Sequence, residues 1–140
     1  MPEPSLLAGA PRHVFVYGTL RRGGSNDITR LQPAARWVGF AQVPGVLFHL
    51  GRYPGMTLGG DQLVHGEVYA IEPALEVVLD AIEGLGGDSP TDEYLKREIV
   101  VLVQGQPLPC LVYEIHPRYT ASARRIEHGD WLRVVGAAAS

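Results

Sequence analysis

The chain has a single cysteine, Cys110, in 140 residues, so no internal disulfide can form within one copy and packing must hold the framework. Cys110 lies inside the apolar run Cys110-Leu111-Val112-Tyr113, which reads as a strand, so a small buried hydrophobe is expected there rather than a nucleophile. Charge of one sign is also scarce. The 12 Lys and Arg against 15 Asp and Glu leave a net charge of −3, which supplies no broad electropositive face, and nucleic acid is not an expected partner. No run approaches the roughly 18 consecutive apolar residues of a membrane helix, so no membrane association is expected. The five histidines, His13, His49, His65, His116 and His128, show no H-x-x-x-H or H-x-H spacing, so no metal ligand set is expected. A G-x-S-x-G elbow is missing as well. The opening MPEPSLLAGAPR lacks the positive n-region of a signal peptide, and with the lone cysteine this points to the cytoplasm.

What is present suffices for one core: 46% of the residues are hydrophobic and the length suits a single domain. That domain is expected to run from residue 13 to 135, with flexible tails at 1–12 and 136–140. Val14-Phe15-Val16-Tyr17 makes a strand that breaks at Gly18 into a glycine-rich, basic loop. Trp37 to Val43 and Val46 to Leu50 read as paired strands about a Pro44-Gly45 turn. A second glycine-rich loop spans Arg52 to Gly55 and Gly59 to Asp61. Val64 to Ile71 follows as a strand with Val64, Gly66, Val68 and Ala70 on one face and His65, Glu67, Tyr69 and Ile71 on the other. After Glu72-Pro73, the spacing of Leu75, Val78, Leu79 and Ile82 predicts an amphipathic helix capped near Gly84. Residues 84–93 read as loop. Tyr94 to Val103 and Cys110 to Ile115 read as a hairpin about Gln104 to Pro107, with a short helix over Ala121 to His128 and Trp131 packing on the core. The resulting fold class is α+β: a small mixed, mostly antiparallel β-barrel flanked by helices.

The loop after the first strand has phosphate-loop glycine spacing, but Gly24 stands where that motif needs lysine. A more general use fits better: backbone N–H groups around Gly18 to Leu20, helped by Arg21 or Arg22, can hold a small carboxylate. The odd acid is Glu83. It closes the amphipathic segment, where the helix dipole disfavours a second negative charge and Asp80 stands one turn earlier. Both effects would raise its pKa from about 4.3, towards what a general base for an amine requires.

Tyr17-Gly18-Thr19-Leu20, Tyr53-Pro54-Gly55, His65-Gly66-Glu67-Val68-Tyr69, Leu79-Asp80-Ala81-Ile82-Glu83-Gly84, Tyr94 with a basic residue following, and Gly129-Asp130-Trp131-Leu132 together resemble the gamma-glutamylcyclotransferase-like family, which includes AIG2-like proteins. The resemblance implies a cavity between the Y-G-T-L loop and the helix-end glutamate. It also implies a reaction in which the α-amine of a small-molecule gamma-glutamyl substrate attacks its own γ-carbonyl, releasing 5-oxoproline and an amine without a cofactor. On this resemblance Glu83 is the general acid/base. The backbone of Gly18, Thr19 and Leu20 holds the α-carboxylate, and Tyr17, Tyr53, Tyr94 and Tyr113 line the pocket. Where relatives carry arginine two places after the tyrosine, this chain has Lys96 beside Arg97, either of which could face inward. Two alternatives accompany this reading: a non-catalytic binding module for a small carboxylate, and a protein-interaction surface, for which no exposed apolar stripe stands out in the sequence.

Overall fold

The computed structural model describes residues 12–24, 26–51, 53–82 and 94–134. The expected tails, apart from residue 12, and the loop at 84–93, together with Glu83 and the Gly84 cap, lie outside the described residues.

Six strands form one sheet: β1 (Arg12–Val16), β2 (Arg36–His49), β3 (Pro54–Ile71), β4 (Tyr94–Val103), β5 (Gln106–Ile115) and β6 (Arg124–Arg125). Their order is β4-β5-β1-β3-β2-β6. Only β1 with β5 is parallel, through Val14 opposite Leu111, and the other pairings are antiparallel. The sheet curls until its far strands meet: a Cβ on Gly39 of β2 would lie 2.8 Å from Val103 Cγ1 of β4. The mixed sheet is therefore a half-barrel, as the sequence suggests.

Strand alternation sorts the core into two layers. Phe15, Val64, Val68, Val101, Val103 and Val112 pack together with Leu47, Met56 and Trp131 inside the curl. Val14, Val16, Tyr69, Ile71, Leu111, Tyr113 and Ile115 face the other way and bury the apolar side of α1 (Pro73–Ile82) through Leu75 and Leu79. Of the helical face expected from spacing, Val78 is half-buried and Ile82 stays 37% exposed. Cys110 is buried in β5. Gln104 and Gly105, with φ of 52° and 79°, make the two-residue turn of the β4–β5 hairpin. That left-handed pair matches the strand twist.

Four expectations are corrected. Trp37 to Val43 and Val46 to Leu50 do not pair with each other, since both belong to β2, which runs through Pro44-Gly45 and pairs with β3 throughout. The register jumps there from Pro44 opposite Leu63 to Gly45 opposite Leu58, so the expected loop at Gly59 to Asp61 is a bulge within β3. The helix over Ala121 to His128 is absent. Arg124 and Arg125 instead pair with His49 and Phe48 on the edge of β2, and Ile126 N–H donates to Leu47 O at 2.7 Å; a segment this short gains more from an open sheet edge than from its own helical turn. Finally, the surface does carry apolar side chains: Phe40, Val100 and Leu102 are each more than 60% exposed. Val100 and Leu102 alternate with buried Val101 and Val103 along β4.

Candidate active site

Beyond the end of β1 the chain turns sharply. Gly18 O accepts from Arg21 N–H at 3.0 Å, Thr19 O from Asn26 N–H at 2.9 Å and Leu20 O from Ile28 N–H at 2.9 Å. Three consecutive carbonyls are thus drawn into the loop's own structure. Because a trans peptide sets its N–H opposite its C=O, the N–H groups of Thr19 and Leu20 are turned the other way. The N–H groups of Gly18, Thr19 and Leu20 donate to no other described residue. Asp27 closes the loop: its carboxylate accepts from Gly23 N–H and Thr29 N–H, both at 2.9 Å, and from the Thr29 hydroxyl at 2.6 Å. Burial alone would raise the Asp27 pKa. The hydrogen bonds from Thr29 and Gly23, with the charge of Arg30, outweigh that and hold it below the usual carboxylate value.

These residues edge a small open hollow lined by Phe15, Val16, Tyr17, Gly18, Thr19, Leu20, Tyr53, Pro54, Tyr94 and Tyr113. Every described residue singled out from the sequence as substrate-binding, namely Tyr17, Gly18, Thr19, Leu20, Tyr53, Tyr94 and Tyr113, is in that lining. Glu83, the expected acid/base, lies outside the described residues.

The tyrosines are held by their hydroxyls. Tyr17 donates to Tyr113 O at 2.6 Å and accepts from Met56 N–H at 3.2 Å, and Tyr94 donates to Pro54 O at 2.8 Å. The Tyr53 and Tyr94 rings lie 6.4 Å apart, tilted by 51°. A Cβ on Gly18 would stand 2.6 Å from Pro54 Cγ, so glycine is what allows the loop to close on the Tyr53-Pro54 wall.

The sequence left Lys96 and Arg97 undecided, and register separates them. Lys96 stands opposite Tyr113 on the β4–β5 hairpin, and both side chains reach the same carboxylate: Tyr113 donates to Asp80 Oδ1 at 2.7 Å and Lys96 Nζ to Asp80 Oδ2 at 3.0 Å. Lys96 also pairs with Glu76, whose carboxylate accepts from Arg12 at 3.3 Å. Arg97 turns outward to Glu114 at 3.1 Å. Burial pulls the Lys96 pKa down, but Glu76 and Asp80 together outweigh it and hold the ammonium above its ordinary value. The Asp80 charge that would repel Glu83 is therefore balanced by Lys96.

Arg21 and Arg22 correct a further expectation. Neither is left to serve the hollow: Arg21 is 6% exposed and bonds Glu67 and Asp130, both at 2.9 Å, while the Arg22 guanidinium covers the Trp37 ring at 5.1 Å. Sequence reasoning raised Asp80 only as a charge beside Glu83 and Lys96 only as a choice against Arg97, and gave Glu67 and Asp130 no role of their own. For Glu67 the signal was there, an acid on the same strand face as Tyr69 and Ile71.

Comparison with known proteins identifies the family and agrees with the fold. A family model described as gamma-glutamyl cyclotransferase, AIG2-like, matches residues 14–133. A Vibrio cholerae protein is 37% identical over 123 residues, covering 87% of this chain and 96% of that one. The gamma-glutamylcyclotransferase family protein YtfP of Escherichia coli is 34% identical over 126 residues, covering 85% and 95%. Its solution structure superimposes with a TM-score of 0.57 at 31% identity, covering 88% of this chain and 98% of that one. An AIG2-like protein from Mus musculus shares the fold at a TM-score of 0.68 and 24% identity, covering 87% and 88%. The chain belongs to the gamma-glutamyl cyclotransferase, AIG2-like family.

Proposed function

We propose that the chain is a gamma-glutamyl-amide cyclotransferase. The α-amine of the glutamyl group attacks its own γ-carbonyl, the C–N bond to the leaving amine breaks, and the proton lost by the attacking nitrogen ends on the departing one. The products are 5-oxoproline and a free amine, so neither water nor an oxidant enters the balance. One observation carries this reading: the N–H groups of Gly18, Thr19 and Leu20, with no other described acceptor, edge the same hollow as Tyr17, Tyr53, Tyr94 and Tyr113. Such a cradle suits one α-carboxylate.

Holding amine and carbonyl in a near-attack arrangement is worth roughly 7–11 kcal/mol, and a positioned base adds about 10²–10⁴-fold. Positioning is therefore the larger share. The base remains necessary because an α-amine is largely ammonium near pH 7. Glu83 is assigned that role on its place in the sequence, three residues after Asp80, which is bonded to the Tyr113 that lines the hollow. The alternative is a carboxylate-binding module without turnover, since the cradle does not itself need Glu83.

Incubation with a panel of gamma-glutamyl amines, with 5-oxoproline release measured for wild type and Glu83→Gln, separates the two. A cyclotransferase loses roughly 10²-fold or more in kcat on that substitution. Ligand binding with no 5-oxoproline from any substrate identifies the binding module.

A further inference from the structure

The residues directly after the cradle are locked by a buried ionic network whose side chains are not part of the hollow's lining. Glu67 on β3 is 2% exposed and both its oxygens are engaged. Oε1 accepts from Arg22 N–H and from the Tyr69 hydroxyl, each at 2.9 Å, and Oε2 accepts from Arg21 Nε at 2.9 Å. The other arm of Arg21 donates from Nη1 to Asp130 Oδ1 at 2.9 Å, and the same oxygen accepts from Leu132 N–H at 3.1 Å. A third tie runs alongside, from His65 N–H to Gly129 O at 2.8 Å. One guanidinium thus joins the first loop, the central β3 strand and the C-terminal turn.

Burying two opposite charges gains little net stability against a well-packed apolar pair, because desolvation offsets the attraction. Such a pair can instead fix one geometry among near-equivalents. The loop needs that, because a turn with its carbonyls drawn inward and its amides outward leaves donors unsatisfied until a ligand arrives. Arginine suits the task because Nε and Nη1 of one rigid planar fork hold Glu67 and Asp130 in fixed directions, whereas a lysine ammonium on a flexible stem would leave their relative placement loose.

We propose that Arg21, Glu67 and Asp130 are positioning residues for the carboxylate cradle, holding the Gly18–Leu20 amides in their binding arrangement before substrate arrives. The proposal rests on the cradle reading given above. It predicts that the network acts on substrate capture and leaves the chemical step nearly alone.

The test is Arg21→Lys, which keeps the charge but loses the fork, beside Asp130→Asn, which keeps the Oδ1 acceptor and removes only the charge that pairs with Arg21 Nη1. KM and kcat would be measured on a gamma-glutamyl amine that the wild type turns over. In parallel, amide hydrogen exchange at Thr19 and Leu20 would be followed in ligand-free protein, with thermal unfolding as the check on folding. Arg21→Lys is expected to raise KM by roughly tenfold or more, to change kcat by less than about threefold, and to speed exchange at Thr19 and Leu20 selectively. Asp130→Asn should move KM and exchange in the same direction by a smaller amount. Unchanged KM and exchange in folded Arg21→Lys would overturn the proposal, as would a loss of kcat alone or a uniform rise in exchange across the whole sheet. Should wild type turn over no gamma-glutamyl amine, the cyclotransferase reading fails instead, and the exchange comparison still decides this one.

Discussion

The Tyr113 hydroxyl donates to Asp80 Oδ1 at 2.7 Å, tying a wall of the candidate active site to helix α1. Tyr113→Phe keeps the ring and removes the tie. Asp80 then retains Lys96 as its partner, so the expected loss is about 1 kcal/mol. Urea unfolding should show a lower midpoint with an unchanged slope, and an unshifted midpoint would remove the bond from the account of stability.

Gly18→Ala should damage the site rather than the core. The added methyl would meet Pro54 Cγ at 2.6 Å, so the loop or the Tyr53-Pro54 wall must retreat. A displacement of that kind is expected to lower kcat/KM by about tenfold to a hundredfold, read as 5-oxoproline release, while the circular dichroism of the sheet stays unchanged.

Lys96→Met tests the helix clamp through pH. The Lys96 ammonium is favoured in the fold by Glu76 and Asp80, which outweigh its burial and raise its pKa. Its contribution is thus fully present below the unfolded pKa of about 10.4 and is lost as pH climbs through the higher folded value. The gap between wild type and variant should be about 1 kcal/mol or less, given partial exposure. It should stay level from about pH 7 to pH 10 and close above that. A gap that widened above pH 10 would contradict this sign.

Burial pushes the Cys110 thiol up to about 11. At pH 8 a thiol reagent should therefore label the native protein at least about a hundredfold more slowly than the chain in guanidinium. Fast labelling of native protein would show that β5 opens far more readily than its packing suggests.

Much of the architecture was legible because it follows from local pattern. Val14 to Tyr17 alternate between two buried layers, Leu75 and Leu79 recur at helical spacing, and Gln104-Gly105 is a two-residue turn. The failures have one physical cause. Pro44-Gly45 looks like a turn and Ala121 to His128 like a helix, yet β3 and the edge of β2 supply pairing partners that the local sequence does not contain. The site divides in the same way. The Tyr17 to Leu20 loop, Tyr53, Tyr94 and Tyr113 stood out as motifs, whereas the roles of Arg21 and Lys96 were hidden because each depends on acids 16 to 109 positions away.

The hollow draws its walls from residues 15–20, 53–54, 94 and 113, and the loop at its rim is bolted to Asp130. A polypeptide emerging from the ribosome therefore makes β1 long before that rim can be completed, because residue 130 must follow. The hollow should therefore take shape late and abruptly, and a fragment that stops before residue 130 would lack its finished rim.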